Sequence, residues 1–154
     1  TLGPLDEPQM RWLDAQLEAT TQPVKIVFGH VPLHPFTVGR ETERIGDAAL
    51  EAILRRHDVD LFISGHHHAY YPGRRGPLRL VSTACLGGGP RPLIGTGERS
   101  ARSIVAFEVS ADGVAGVDAF AGARFDERIE RESLPLYVGA GEERIERDDV
   151  SIKP

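Results

Sequence analysis

Leu61-Phe62-Ile63-Ser64-Gly65-His66-His67-His68-Ala69-Tyr70 is the stretch on which the reading of this chain turns. Three apolar residues and a serine closed by glycine are too short for a helix and read as a buried strand that delivers a loop of three histidines. The same grammar occurs upstream, where Val24-Lys25-Ile26-Val27-Phe28 runs into Gly29-His30-Val31-Pro32. Between the two, Asp47 can cap a helix whose Leu50, Ile53 and Leu54 form an apolar stripe ending near His57. Ahead of both, Asp6 with Gln9 marks a helix start, and Met10, Leu13 and Leu17 then share one face of a helix over 7–19. Two helix–strand units that each end in a histidine loop predict an α/β fold. Adjacent strand ends are where such sheets place their sites, so the two histidine groups are expected to converge across more than thirty residues.

Outward from this centre, 78–82 reads as a strand, and 103–109 pairs with 114–120 across a turn containing Asp112-Gly113, as a meander on the sheet edge. The expectation is a mixed β-sheet of about five strands with two helices. The charged segment 124–132 suits strand or helix equally. Beyond Pro135 the apolar content falls and Glu, Arg and Asp dominate, which predicts a folded unit over 1–134 and a charged tail over 135–154.

Composition bounds the function. With 154 residues, 40% of them hydrophobic and 27% charged, the chain can bury one ordinary core. A net charge of -5 argues against a nucleic-acid-binding surface or an anionic-membrane partner, both of which require a cationic face. No stretch has the roughly 20 consecutive apolar residues of a membrane-spanning helix. The single cysteine, Cys85, cannot form an internal disulfide. The sequence opens at Thr1 rather than methionine, which suggests a piece of something longer and leaves the compartment unknown.

Neutral imidazoles at strand ends are common ligands for transition metals, and a His-x-His pair can reach one metal or two neighbouring ones. His30, His66 and His68 are therefore the candidate ligands. Taken alone, His30 reads first as a turn histidine bonded to a backbone carbonyl, and the presence of His66 and His68 shifts that reading to metal ligation. His67 points the opposite way from its neighbours if the backbone is extended, and His57 suits a helix C-terminus without any catalytic role. His34 could orient the His30 loop or contact substrate, and a solvated or capping role competes with that. Gly87 and Gly88, in Gly87-Gly88-Gly89, could let backbone amides approach an anion, but no Lys-Ser/Thr follows as in a nucleotide loop. Arg74, Arg75, Arg79, Arg91, Arg99 and Arg102 stand against Glu98 alone, a local cationic balance that could attract a phosphorylated substrate, although a solvated face accounts better for arginines in a chain where nearly all basic residues are arginine.

A strand ending in His30-Val31-Pro32, followed by a helix–strand unit ending in Gly65-His66-His67-His68, resembles the last two metal-binding motifs of the calcineurin-like metallophosphoesterases. Ala69-Tyr70 and the helix from Gln9 to Leu17 are more similar to the purple-acid-phosphatase branch. The resemblance covers residues 5–90 and implies one half of a four-layer sandwich. It implies that His30 and His66 bind one metal of a two-metal centre (Fe, Mn or Zn) and that His68 binds the other. It also implies hydrolysis of phosphate mono- or diesters through a metal-bound hydroxide, the cations neutralising charge on the phosphoryl oxygens. His34, His67, Gly87 and Gly88 then become candidates for substrate or supporting contacts.

The family's earlier motifs, Asp-x-His, Gly-Asp and Gly-Asn-His-Asp/Glu, are missing from the matching positions. Gly46-Asp47 lies between the last two motifs and reads as a helix cap. The chain thus resembles the C-terminal half of such an enzyme, inactive or weak alone, with an incomplete metal centre. A sheet face stripped of its usual cover predicts a homodimer, or a seat for the missing N-terminal half. The competing reading is a non-catalytic metal-binding or interaction module that keeps the half-fold.

Overall fold

The computed structural model describes residues 3–150. Helix α1 spans Glu7–Ala19 and is capped as its sequence dictates: the Asp6 carboxylate accepts from the Gln9 amide, and the Gln9 side chain accepts from the Asp6 amide. It leads into strand β1, Ile26–Gly29, and then, through an irregular loop, into helix α2, Ala48–Arg56. Asp47 accepts from the Ala49 and Leu50 amides at the start of α2, while Leu50, Ile53 and Leu54 turn inward. Strand β2 is Leu61–Ser64, β3 is Tyr71–Arg75 and β4 is Leu78–Ser82. The long strands β5, Ile104–Ser110, and β6, Gly113–Ala121, are followed by three short ones: β7 (Glu127–Arg128), β8 (Tyr137–Val138) and β9 (Ile145–Arg147).

Six strands form a mixed sheet in the order β1-β2-β4-β3-β9-β8. Its β1, β2 and β4 run parallel, whereas β3 is antiparallel to both β4 and β9. The remaining three make a second, antiparallel sheet, β5-β6-β7. Both helices contribute to an apolar cluster on one face of the large sheet, where Leu17, Leu50 and Leu54 meet Phe62, Tyr71 and Leu80. On the other face Leu61, Ile63 and Val81 pack against Val117 and Ala119 of β6. The architecture is mixed α/β with two helices, as expected, and is consistent with a half-sandwich of the metallophosphoesterase kind.

Three expectations change. The 103–120 hairpin forms where the sequence puts it, with Asp112-Gly113 in its turn, but it does not extend the edge of the large sheet. It builds a separate layer because the alternating small apolar residues Val117 and Ala119 of β6 bury completely against the face of β2 and β4. That layer also corrects the idea of a bare sheet face. The large sheet keeps two edges, β8 and β1, and at the β1 edge Phe28 is 75% and nearby Trp12 64% exposed.

The third change concerns the charged tail. Up to residue 150 the segment after Pro135 belongs to the large sheet, and 151–154 lie outside the described residues. Val138 and Ile145 are fully buried, and Arg147 is buried because its guanidinium donates to the Arg131 and Leu134 carbonyls and to Asp149. Charge therefore accompanies insertion here, since each buried donor has an acceptor. That same guanidinium holds the Asp149 carboxyl below the ordinary aspartate range.

Strand β3 falls where the sequence reading places no element, and it contains Pro72-Gly73, two residues that strand interiors disfavour. Pro72 has no N–H to give the ladder, and its carbonyl is engaged, accepting from the Asp148 amide. Gly73 is required by close packing: a Cβ there would lie 2.4 Å from Ile145 Cγ2 and 3.0 Å from the Leu80 carbonyl oxygen.

Candidate metal centre

Parallel pairing sets the two histidine loops side by side. Gly29 of β1 is in register with Ser64 of β2, so both strands end at one level, and the Gly65 amide donates to the His30 carbonyl at 3.0 Å. Gly29 permits this approach, since a Cβ there would stand 2.7 Å from Phe62 Cζ. His30 Nε2 and His66 Nδ1 lie 3.2 Å apart, with their rings edge to face. The two rings are in hydrogen-bond contact, and the same spacing suits two imidazole nitrogens sharing a tetrahedral zinc, which at about 2.0–2.1 Å each would stand about 3.3 Å apart. The rest of a centre is not assembled: among the described residues no three His, Cys, Asp or Glu side chains converge to hold an ion.

The backbone around the three histidines is unusual. His66 and His68 adopt left-handed conformations, with φ of 59° and 55°. Non-glycine residues in that region carry strain of about 1–3 kcal/mol each and persist where their surroundings over-determine them. His67 supplies that determination. It is completely buried, its Nδ1 accepts from the Phe36 amide at 3.1 Å, and its Nε2 donates to the Glu43 carbonyl at 3.0 Å. Burial lowers its pKa from the ordinary histidine value, which keeps the ring neutral. With both nitrogens engaged by main chain and no exposed surface, His67 ties the 36–46 loop to the β2 end and leaves nothing free for a ligand.

His68 faces the glycine-rich loop. The Gly89 carbonyl lies 3.1 Å from His68 Nδ1, so that nitrogen carries the hydrogen and the lone pair resides on Nε2. Gly89, in the left-handed region, is the glycine that touches the histidine. Gly87 and Gly88 have open space where a side chain would be, and the Gly87 carbonyl accepts from Arg102.

His34 is drawn into a different cluster. It lies 2.8 Å from Glu51 of α2, which also pairs with Arg55 and Arg75. The His34 hydrogen bond, then the arginines, hold the Glu51 carboxyl down at about 2, against the desolvation of a half-buried group. His57, at the C-terminus of α2, bonds Asp14 at 2.6 Å.

Two residues that the sequence reading passed over flank the histidines. Glu43 Oε2 lies 2.6 Å from His66 Nε2 and accepts from Arg40 Nη1 at 2.7 Å. Its hydrogen bond with His66, more than the Arg40 charge, lowers the Glu43 pKa. Both sit in an irregular charged loop without periodicity, and Arg40-x-x-Glu43 alone carries no signal that separates it from a solvated surface pair.

Fold and site together define a mixed α/β protein in which two histidine loops lie side by side at the ends of neighbouring parallel strands. Residues 2–70 match the model of the calcineurin-like phosphoesterase family. That match supports the superfamily for the part of the chain running from α1 through the His66–His68 loop, a family whose members generally use divalent metals. Comparison with curated proteins gives no match.

Proposed function

We propose that this chain is the C-terminal portion of a metal-dependent phosphoesterase of the purple-acid-phosphatase-like branch, acting on phosphate mono- or diesters. The observation that carries the reading is the 3.2 Å approach of His30 Nε2 to His66 Nδ1 at the ends of parallel neighbouring strands. In this reading His30 and His66 hold one metal and His68, through Nε2, turns toward a second. When bound, such cations supply the nucleophile and neutralise the phosphoryl charge. The carboxylates that complete the pair come from outside the described residues, so the chain alone is inactive or weak. The unpaired β1 edge, with Phe28 and Trp12 beside it, supports self-association of the isolated chain, which sedimentation at micromolar concentration tests.

The site is tested by titrating metal-free protein with Co²⁺ and following its visible absorption. Binding that is lost in both His30→Ala and His66→Ala, but kept in His34→Ala, is the expected result. Equal binding by all four proteins would overturn the ligand assignment. Catalysis is assayed separately with aryl phosphate mono- and diesters in the presence of Fe, Mn or Zn. A non-catalytic metal-binding or interaction module that retains the half-fold is the second reading, and the absence of a third converging donor among the described residues favours its interaction form. The coding sequence upstream of Thr1 separates the two: Asp-x-His and Gly-Asn-His-Asp/Glu motifs there support the enzyme, and their absence supports the module.

A further inference from the structure

We infer that Glu43 is a positioning residue that fixes His66 as its Nε2–H tautomer and thereby turns the Nδ1 lone pair toward His30. The inference rests on the reading of His30 and His66 as metal ligands, but it concerns a residue outside both histidine motifs. It begins from an apparent conflict at His66 Nε2, which has two close neighbours of opposite demand. Glu43 Oε2, at 2.6 Å, can only accept and so requires a hydrogen on that nitrogen. Arg40 Nη1, at 2.8 Å, can only donate and would require a lone pair.

The second distance from Arg40 resolves this. Nη1 also lies 3.4 Å from His66 Nδ1. A donor placed along the in-plane lone pair of Nε2 at that range would stand about 5 Å from the other ring nitrogen, because the two nitrogens are separated across the ring and the lone pair points outward. Arg40 is far too close to Nδ1 for that position and therefore cannot use the Nε2 lone pair. The guanidinium instead donates to Glu43, at 2.7 Å, and lends its charge to the carboxylate. Nε2 then keeps its hydrogen for Glu43, and Nδ1 is left with a lone pair facing His30 Nε2. A carboxylate on the far nitrogen of a metal-ligating histidine sets tautomer and ring orientation and raises basicity. Glu43 is on the side of the ring away from His30, so it cannot share an ion with that pair.

The experiment uses the full chain with ring-¹⁵N-labelled histidine, in wild type, Glu43→Ala and Glu43→Gln. In metal-free wild type, the two ring shifts of His66 are expected to report the Nε2–H form. Glu43→Ala should increase the Nδ1–H fraction and weaken Co²⁺ binding about 10–100-fold, and Glu43→Gln, which retains an accepting oxygen, should restore most of both. His67 serves as the internal reference, because it bonds the Glu43 carbonyl and not its side chain, and its shifts should be unchanged in every variant. A wild-type His66 protonated on Nδ1, or tautomer and affinity untouched in Glu43→Ala, would overturn the inference. If wild type binds no Co²⁺ while the tautomer still follows residue 43, the ligand reading fails and the role of Glu43 stands.

Discussion

The interlock between Gly73 and Ile145 offers a quantitative test of whether the charged C-terminal segment is part of the fold. Ile145 is fully buried in β9 and fills the space where a Gly73 side chain would be, with Cγ2 only 2.4 Å from a Cβ at that position. Ile145→Ala should cost about 3 kcal/mol within the usual 2–5 for such truncations, since β3 and β9 are held by the sheet and cannot collapse into the cavity. In a domain of this size that lowers the melting temperature by about 6–12 °C. Gly73→Ala alone should cost about 1–3 kcal/mol by overpacking. Combined, the two should cost less than their sum by about 1–2 kcal/mol, because alanine at 145 removes the clashing methyl. The relief is partial, as the Leu80 carbonyl oxygen and Tyr71 Cδ1 remain at 3.0 and 3.2 Å from the new Cβ. Urea unfolding followed by far-UV circular dichroism at fixed protein concentration measures the cycle. Additivity within about 0.3–0.5 kcal/mol, or an Ile145→Ala cost below about 1, would refute the packing of β9 against β3.

Acid should weaken the α2–β3 junction through Glu51. With its folded pKa held at about 2, below the ordinary glutamate value, the carboxylate contributes stability that is fully present above about pH 5 and is lost as pH falls toward 2. Screening of this half-buried group brings the contribution to about 1–2 kcal/mol. Glu51→Gln should flatten the acid limb of a stability-versus-pH curve, and an unchanged limb would contradict the cluster. Tyr70→Phe removes a hydroxyl that donates to the Val117 carbonyl and accepts from Arg131, so it should cost about 1–3 kcal/mol in thermal unfolding. Burial also pushes the Tyr70 phenol up to about 12, so alkaline difference spectra should show a phenol still un-ionised at about pH 11, and complete ionisation of the tyrosines below that pH would argue against its burial. His67→Ala leaves the Phe36 amide and the Glu43 carbonyl without their imidazole partner and should destabilise by about 2–4 kcal/mol; a change below about 0.5 would show that the two loops are not tied through this ring.

The legible parts of the sequence were those governed by local rules. Both helices begin at the carboxylates that cap them, and the hairpin turns at Asp112-Gly113, because a cap or a turn is decided by residues three or four apart. The histidine loops were legible because a short apolar run ending in glycine leaves few alternatives. Strand β3 was hidden because it contains Pro72-Gly73, and the packing that makes a glycine fit there comes from Ile145, more than seventy residues away. Strand β9 was hidden because the burial of Arg147 depends on the Arg131 and Leu134 carbonyls. Glu43 was hidden for the same reason. Its meaning comes from the second nitrogen of His66, which belongs to another loop.

The middle histidine of the triplet explains why its neighbours are available at all. In an extended chain, His66 and His68 would share one side and His67 would oppose them, with nothing fixing the outward pair. Here the left-handed backbone at 66 and 68 turns the segment sharply on either side of His67, at a cost of about 1–3 kcal/mol per residue. A buried, neutral imidazole with two main-chain hydrogen bonds stabilises by an amount of the same order. The ring also packs edge-on against Phe36, whose amide it holds. The strain is therefore offset locally, by a residue that is itself completely buried, and the two outer rings are held in place before any ligand arrives. Glu43 contributes to both halves of this arrangement. Its carbonyl anchors His67 and its carboxylate orients His66, so one loop residue couples the buried support to the exposed face of the site.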